Sequence, residues 1–425
     1  MKIGLEVHVA LPTRTKLFCA CSTEETEEPN ENVCPTCMGF PGSKPVLNRE
    51  AVRIAKSIAF VLGCKIREKI SFVRKVYFYP DLPKNFQISQ LDASIGYDGE
   101  VSIKTKKIRI RRVQIEEDPA KILREKGMTL LDFNRSGVPL VEIVTEPDIT
   151  SEQELRMFMH ELRSILYYQG VDIDREVKAD LNISLGKERV EVKNVTGIKN
   201  LIDAARYEID RQKRIIDQGR EPIKETRFYD EDEKITKSAR EKEADEEYGY
   251  IYETDLTDYD TSGLVIDRGI IPSKEAKELS EKYGFDEQVL DELISLDRDA
   301  YRLIVSAAGR YDPQIIVSVV EQLKKFGEQS ISEAAFEALL GVGKEVSLTR
   351  EMIDKAKKGE SIETSVNKEN IEEKVRKYMQ DNKALFEKAR KDTKVQNFII
   401  GEISRKYRFN PKQVSEIIKN MNLFK

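Results

Sequence analysis

At 425 residues, with 40% apolar and 35% charged side chains of both signs, the chain is long enough for two or three domains with a sizeable core. No apolar run approaches the length that spans a bilayer, so a membrane is excluded as a partner. Met1-Lys2-Ile3-Gly4 enters a strand pattern at once, which predicts a cytoplasmic protein without a leader, and a formal net charge of −5 argues against a general nucleic-acid coat.

The first element is a strand over Ile3 to Val9. Side chains alternate along a strand, so Ile3, Leu5, Val7 and Val9 share the core face and Glu6 and His8 the other. Four of the five cysteines follow in two close pairs, Cys19-Ala-Cys21 and Cys34-Pro-Thr-Cys37. In a cytosolic chain such pairs read as a metal site before they read as disulfides, and four thiolates suit a structural zinc with no vacancy for chemistry. An iron–sulfur centre and unliganded thiols are the alternatives. Cys64 stands apart in an apolar helix, as a core residue.

A strand over Ile108 to Ile115 ends in Glu116-Glu117-Asp118, three acids that repel unless a cation sits among them. Val138 to Val144 reads as a buried strand interrupted by Glu142, and a buried carboxylate is costly unless paired or bound to a metal. His8, Glu117 and Glu142 are therefore candidate ligands for a hard divalent ion such as Mg²⁺ with bound nucleotide. Ser151 to Gln169 is a helix opened by a capping box of Ser151 and Glu154, with His160 on its surface or in its packing. Residues 177–185 and 189–193 alternate like the first strand, placing Lys178, Asp180, Asn182 and Ser184, then Arg189, Glu191 and Lys193, on the polar face. Such strands predict an antiparallel sheet with one face on the core. No phosphate-binding glycine loop is present, and two histidines leave little material for a serine triad.

From residue 272 the pattern turns helical, with Ser273 as the expected N-cap, and a linker is expected near 359–370. Residues 368–425 carry 15 Lys+Arg against 8 Asp+Glu, a net of +7, whereas the rest of the chain nets −12. A basic end on an acidic body reads as local contact with a polyanion, or as a solvated helical tail. The expected fold is α+β: an antiparallel-sheet cradle over 1–270 with the zinc loop at 19–37, a helical domain over 271–358, and a basic helical tail over 368–425.

Several ordered blocks resemble the B subunits of aspartyl/glutamyl-tRNA amidotransferases, in the family they share with the E subunits. They are Ile3-Gly-Leu-Glu6-Val-His8, Cys34-Pro-Thr-Cys37-Met-Gly-Phe-Pro-Gly, and Arg74-Lys75-Val-Tyr77-Phe-Tyr79-Pro-Asp81-Leu-Pro-Lys84-Asn-Phe-Gln-Ile-Ser-Gln90. Glu116-Glu117-Asp118-Pro-Ala-Lys121, Asp132-Phe-Asn-Arg-Ser-Gly-Val-Pro-Leu-Val-Glu142, Asp180-Leu-Asn182-Ile-Ser184, Glu191-Val-Lys193-Asn194 and Glu225-Thr-Arg227 continue the series. The resemblance implies that ATP phosphorylates the side-chain carboxylate of glutamate or aspartate misacylated onto tRNA for glutamine or asparagine. Ammonia from a partner amidase A subunit, assembled with a small C subunit, then displaces the phosphate. It implies Glu6, His8, Glu117 and Glu142 as the Mg²⁺ and phosphoryl-transfer site, flanked by Asp180 and Asn182. It implies Lys75 and Lys84 at a tunnel mouth, with Tyr77, Tyr79, Asp81, Glu191 and Lys193 on the substrate side. It also assigns tRNA binding to the basic tail.

The stretch Tyr248-Gly-Tyr250-Ile-Tyr252-Glu253-Thr-Asp255 and Asn194-Val-Thr-Gly-Ile-Lys199 lean toward the E subunit of the archaeal glutamine-specific enzyme, whose inserted domain has no room here. Two further readings stand beside the enzyme: a catalytically silent tRNA-binding scaffold and a stand-alone metal-dependent phosphohydrolase.

Overall fold

The computed structural model describes residues 1–171, 177–239, 249–342, 347–362, 368–389, 393–407 and 411–421. It divides into two compact units, Met1–Pro272 and Ser273–Lys425.

In chain order the first unit runs β1 (Lys2–Ala10), α1 (Arg49–Val61), β2 (Lys65–Ile66), β3 (Lys69–Ile70), β4 (Val73–Val76), β5 (Phe86–Ser89), β6 (Gly96–Ser102) and β7 (Lys107–Glu117). It continues with β8 (Lys121–Glu125), β9 (Met128–Asp132), β10 (Pro139–Thr145), α2 (Glu152–Tyr168), β11 (Lys178–Ser184), β12 (Val190–Thr196) and α3 (Ile198–Asp217). The last strands are β13 (Glu225–Asp230), β14 (Ile235–Ser238), β15 (Gly249–Tyr252) and β16 (Tyr259–Asp260).

Nine strands form one sheet in the order β14-β13-β12-β11-β1-β10-β7-β6-β2. One face carries the core: Ile3, Leu5 and Val7 of β1, Val141 and Ile143 of β10, and Leu181 and Ile183 of β11 are all 1% exposed or less. They pack with Ala55 and Ile58 of α1, Phe158 and Leu162 of α2 and Leu201 and Ala205 of α3. Each fully buried aliphatic side chain contributes about 1.5–3 kcal/mol, which fixes which face of each strand turns inward. The opposite, polar face is thereby set as well. A smaller sheet, β15-β4-β5, brings Lys75 on β4 to that polar side.

The large sheet is mixed, where an antiparallel one was expected. β12 and β13 pair in parallel, Glu191 opposite Thr226, because the twenty-residue helix α3 carries the chain back over the core before β13 begins. Buried Glu208 of α3 pins this crossover, accepting from Arg211, Gln212 and Thr236. Smaller departures have local causes. Cys64 is buried but lies just past α1, against Gly96 and Gly99 of β6. Ser151 caps α2 by accepting from Glu154 N at 3.0 Å, while Glu154 reaches back to Thr150 rather than to Ser151. His160 is an exposed residue of α2.

The second unit is helical: α4 (Pro272–Tyr283), α5 (Glu287–Ile294), α6 (Arg298–Ala307), α7 (Pro313–Lys325), α8 (Glu333–Val342), α9 (Arg350–Lys358), α10 (Lys368–Asp381), α11 (Lys383–Ala389), α12 (Thr393–Tyr407) and α13 (Pro411–Asn420). Ser273 lies inside α4 rather than capping it, since Pro272 supplies the first turn with its preset φ. The helices build two hydrophobic clusters. One centres on Leu290, Ile304, Ile316, Phe336 and Ile353, and the other on Val375, Tyr378, Phe386, Ile399, Ile403 and Val414. Gly359, in the left-handed conformation, ends α9 ahead of the expected linker, whose residues 363–367 lie outside the described ones.

Candidate functional site

Strand register assembles the polar face. His8 on β1 stands opposite Glu142 on β10 and Lys178 on β11, and Glu6 stands opposite Asp180. His8 Nε2 lies 3.7 Å from Glu6 Oε1, 3.4 Å from Glu116 Oε1 and 3.5 Å from Glu142 Oε2. Glu116 and Glu142 are only 4% and 2% exposed. Ligand atoms of Glu6, His8 and Glu142 fall within 4.8 Å of one another, a spacing that one cation can bridge.

Buried carboxylates this close must be neutralised. Burial, reinforced by repulsion from Glu142, pushes the Glu6 carboxyl up to about 7. Burial also raises Glu116 and Asp180. Burial opposes ionisation of Glu142 too, but the His8 hydrogen bond and the charges of His8, Arg112 and Lys75 outweigh it and hold this carboxyl low. For His8, burial favours the neutral ring, yet Glu142, Glu116 and Glu6 together push it up to about 10. The imidazolium therefore serves as the cluster's own cation. A metal ligand must be neutral imidazole, so metal binding here displaces a proton.

Glu117 is not brought to His8. It follows Glu116 on β7, and successive strand residues point to opposite faces. Its Oε2 accepts from Lys84 Nζ at 2.6 Å and its Oε1 from Ile88 N at 2.8 Å. Glu116 takes the place beside His8 that the sequence pattern suggested for Glu117. The Lys84–Glu117 pair instead lines a cavity of about 190 Å³ with Arg74, Glu253, Cys19 and Cys37.

The remaining expected residues spread over the same face and its rim. Asp180 accepts from Asn194 N at 2.7 Å, Lys193 Nζ lies 3.8 Å from Glu191, and Asn182 Oδ1 is buried with no partner among the described residues. Lys75 sits 6.0 Å from the Tyr77 ring centre, and its charge favours ionised Glu6, Glu116 and Glu142. Tyr79 is exposed and Asp81 lies outside the cluster, its carboxyl raised by burial. Arg112 and Gln114 are not among the residues the sequence pattern marks, although both share the face of Glu116 by alternation on β7. Arg112 Nη2 donates to Glu142 Oε1 at 3.2 Å and Gln114 Nε2 to Glu142 Oε2 at 3.0 Å.

The second gathering is the cysteine loop. Cys19, Cys21, Cys34 and Cys37 are unpaired, and their sulfurs lie within 4.8 Å of one another, a donor set that fits tetrahedral zinc. A hydrogen bond from Cys19, opposed by burial and aided by the Lys16 charge, holds the Cys37 thiol down at about 4. Lys16 is fully buried, its Nζ donating to Asn32 O at 2.7 Å and Phe133 O at 3.2 Å and lying 3.7 Å from Cys37 Sγ. Gly39, at φ +69°, lets the loop close on Lys84; a Cβ there would meet Lys84 Cγ at 2.6 Å.

An open sheet face that gathers acids and one histidine, and a separate tetrathiolate loop, are two donor sets whose spacing suits a cation, the second one a structural zinc. The GatB/GatE catalytic domain model matches residues 1–267, and the chain belongs to that family. The chain is 38% identical to the B subunit of the aspartyl/glutamyl-tRNA(Asn/Gln) amidotransferase of Saccharolobus solfataricus, covering 99% of this chain and 98% of that one. It is 34% identical to the protein of the same name from Carboxydothermus hydrogenoformans, covering 98% of each. No helix among the described residues is long and apolar enough to cross a membrane.

Proposed function

We propose that this chain is the activating subunit of a tRNA-dependent amidotransferase, working in the cytoplasm with an amidase A subunit and a small C subunit. The observation that carries the reading is the cluster of Glu6, His8, Glu116 and Glu142 on one open sheet face, in a chain that matches amidotransferase B subunits over nearly its whole length. The γ-phosphoryl group of ATP passes to the side-chain carboxylate of glutamate or aspartate esterified to tRNA. One oxygen–phosphorus bond forms as the β–γ bridge breaks, and ADP leaves. Ammonia then attacks the activated carbonyl carbon, phosphate departs, and a proton is released.

A carboxylate is a poor electrophile, so a leaving group must be installed before amidation. Phosphoryl transfer is mainly positioning and charge neutralisation. Mg²⁺ held by Glu6, His8 and Glu142 supplies that neutralisation when bound. Asp180, Asn182 and Glu191 offer acceptors at the rim for the aminoacyl group, and Lys193 orients Glu191. Lys75 faces the transferred phosphate with Tyr77 beside it. Lys84 and Glu117, on the far side of β7, border the cavity through which ammonia approaches, and Tyr79 and Asp81 belong to the segment that leads from β4 to Lys84. The tetrathiolate loop holds zinc as a staple.

The basic tail, residues 368–425, grips tRNA through phosphates, and residues 271–358 connect it to the cradle. Phosphate contacts give salt-dependent affinity without sequence readout. Full-length relatives named as B subunits support that type over the E type. The reading is tested by ADP formation in the reconstituted complex, with and without misacylated tRNA. Stimulation by misacylated but not by correctly acylated tRNA is expected. A scaffold shows no ADP, and a phosphohydrolase shows no tRNA dependence. Removing residues 363–425 is expected to weaken tRNA binding several-fold and to flatten its salt dependence, the loss of a few phosphate contacts, ~1 unit of slope each.

A further inference from the structure

The cluster's most buried ligand is already occupied by protein donors. Glu142 Oε1 accepts from Arg112 Nη2 at 3.2 Å, and Glu142 Oε2 accepts from Gln114 Nε2 at 3.0 Å with His8 Nε2 3.5 Å away. Yet Glu142 is also one of the three residues whose spacing suits a cation. Beside it, two buried polar atoms have no hydrogen-bond partner among the described residues: Arg112 Nε and Gln114 Oε1. Gln114 is 4% exposed, so its free carbonyl oxygen cannot turn to bulk water. Such atoms are satisfied when a ligand arrives.

We infer that Arg112 is a resident counter-ion of Glu142 that yields this carboxylate to the metal and turns its guanidinium to the transferred phosphoryl group. The inference rests on the phosphoryl-transfer reading above. A divalent cation and a guanidinium repel when they share one carboxylate, so metal at Glu142 loosens Arg112. A guanidinium presents five donors in a fixed fork that matches phosphate, and the buried, unpartnered Nε completes that fork once Nη2 leaves Glu142. Gln114 keeps its bond to Glu142 Oε2 and holds the carboxylate in orientation during the exchange.

The two consequences have opposite signs, which separates this role from a structural one. Without nucleotide, Arg112→Met removes a competing cation and binds Mn²⁺ more tightly, by about tenfold. With ATP and misacylated tRNA, the same variant loses ADP formation by about a hundredfold, chiefly in kcat. Arg112→Lys keeps the charge but not the fork, so its Mn²⁺ affinity stays near wild type while ADP formation falls to an intermediate value. The experiment is Mn²⁺ titration of the assembled complex by electron paramagnetic resonance, paired with ADP release and a thermal melt. Unchanged or weaker Mn²⁺ binding in an Arg112→Met complex that melts like wild type overturns the inference. Should Arg112→Met fail to assemble, Arg112→Lys with wild-type ADP formation overturns it instead. ADP formation by the wild type without any tRNA dependence sinks the phosphoryl-transfer reading, while the Mn²⁺ arm still reports on the Arg112–Glu142 exchange.

Discussion

The histidine–carboxylate face and the tetrathiolate loop each gather side chains for a cation, and they do so by opposite means. On the face, Glu6 and Glu142 meet because β1 pairs with β10 in one register, and both strands lie inside a nine-stranded sheet. The backbone there is held whether or not an ion is present, and His8, Arg112 and Lys75 already balance the acids. In the loop, between β1 and α1, regular structure is reduced to one bridge from Thr15 to Ser22. Its chain is otherwise tied by scattered bonds such as Asn48 N to Leu17 O and Asn32 N to Asn134 Oδ1, and the four sulfurs gather within it, with Lys16 beneath Cys37. Preorganised strands would leave an ion free for chemistry, whereas an ion in a loop of little regular structure would become part of the fold.

The contrast is broken most sharply at His8. His8→Ala removes the proposed metal ligand and the cluster's own cation, and tRNA-dependent ADP formation is expected to fall on the order of 10²–10³-fold. Zinc content by elemental analysis stays at wild type, because no thiolate is touched. Loss of zinc in this variant would show that the two sites are one folding unit.

Cys21→Ser tests the other half. One zinc per chain is expected in the wild type and none in the variant, with a melting temperature lowered by ~2–4 °C for each kcal/mol of binding energy lost. Below that temperature ADP formation persists. Protein purified without chelator and containing no metal would remove the thiolate loop from the comparison.

The smallest effect sets the floor for both. Glu152, at the start of α2, accepts from Arg206 and Arg156, and these bonds hold its carboxyl down at about 2, well below its ordinary value of 4.5. Because the folded value is depressed, its stabilisation is full above pH 4.5 and is lost as pH falls toward 2. Glu152 is partly exposed, so the stabilisation is small, ~1 kcal/mol or less. Glu152→Gln is expected to lower the melting temperature slightly at pH 7 and not at pH 2, with ADP formation and zinc content unchanged at pH 7. A loss of activity would mean that the face depends on the helices beneath it more than its register suggests.

Much of this was legible in the sequence, for reasons that lie in strand geometry. Alternation placed Glu6 and His8 opposite the core-facing Ile3, Leu5 and Val7, and the interruption of an apolar run marked Glu142. The cysteine spacing marked the loop. What failed was phase at a strand end: Glu116 and Glu117 are adjacent acids, and only the extent of β7 through Glu117, paired with β10, decides which of them faces His8. Arg112 and Gln114 were hidden because their signal is positional; they become visible only once Glu116 is assigned, four and two residues ahead of it on the same face. The parallel pairing of β12 with β13 was hidden because both pairings bury the same alternate residues, and only the path of α3 distinguishes them. The role of Lys16 required the fold, since a lysine before a thiol pair has no helical or strand period to betray its burial.

On the proposed reading, phosphoryl transfer belongs to the His8 face and not to the cavity on the other side of β7. Two neighbouring isosteric changes test it, Glu116→Gln and Glu117→Gln, each measured for ADP and for amidated tRNA in one turnover of the assembled complex. Glu116→Gln is expected to lose ADP formation, whereas Glu117→Gln still forms ADP but delivers little amide. ADP formation abolished by Glu117→Gln and retained by Glu116→Gln would contradict it.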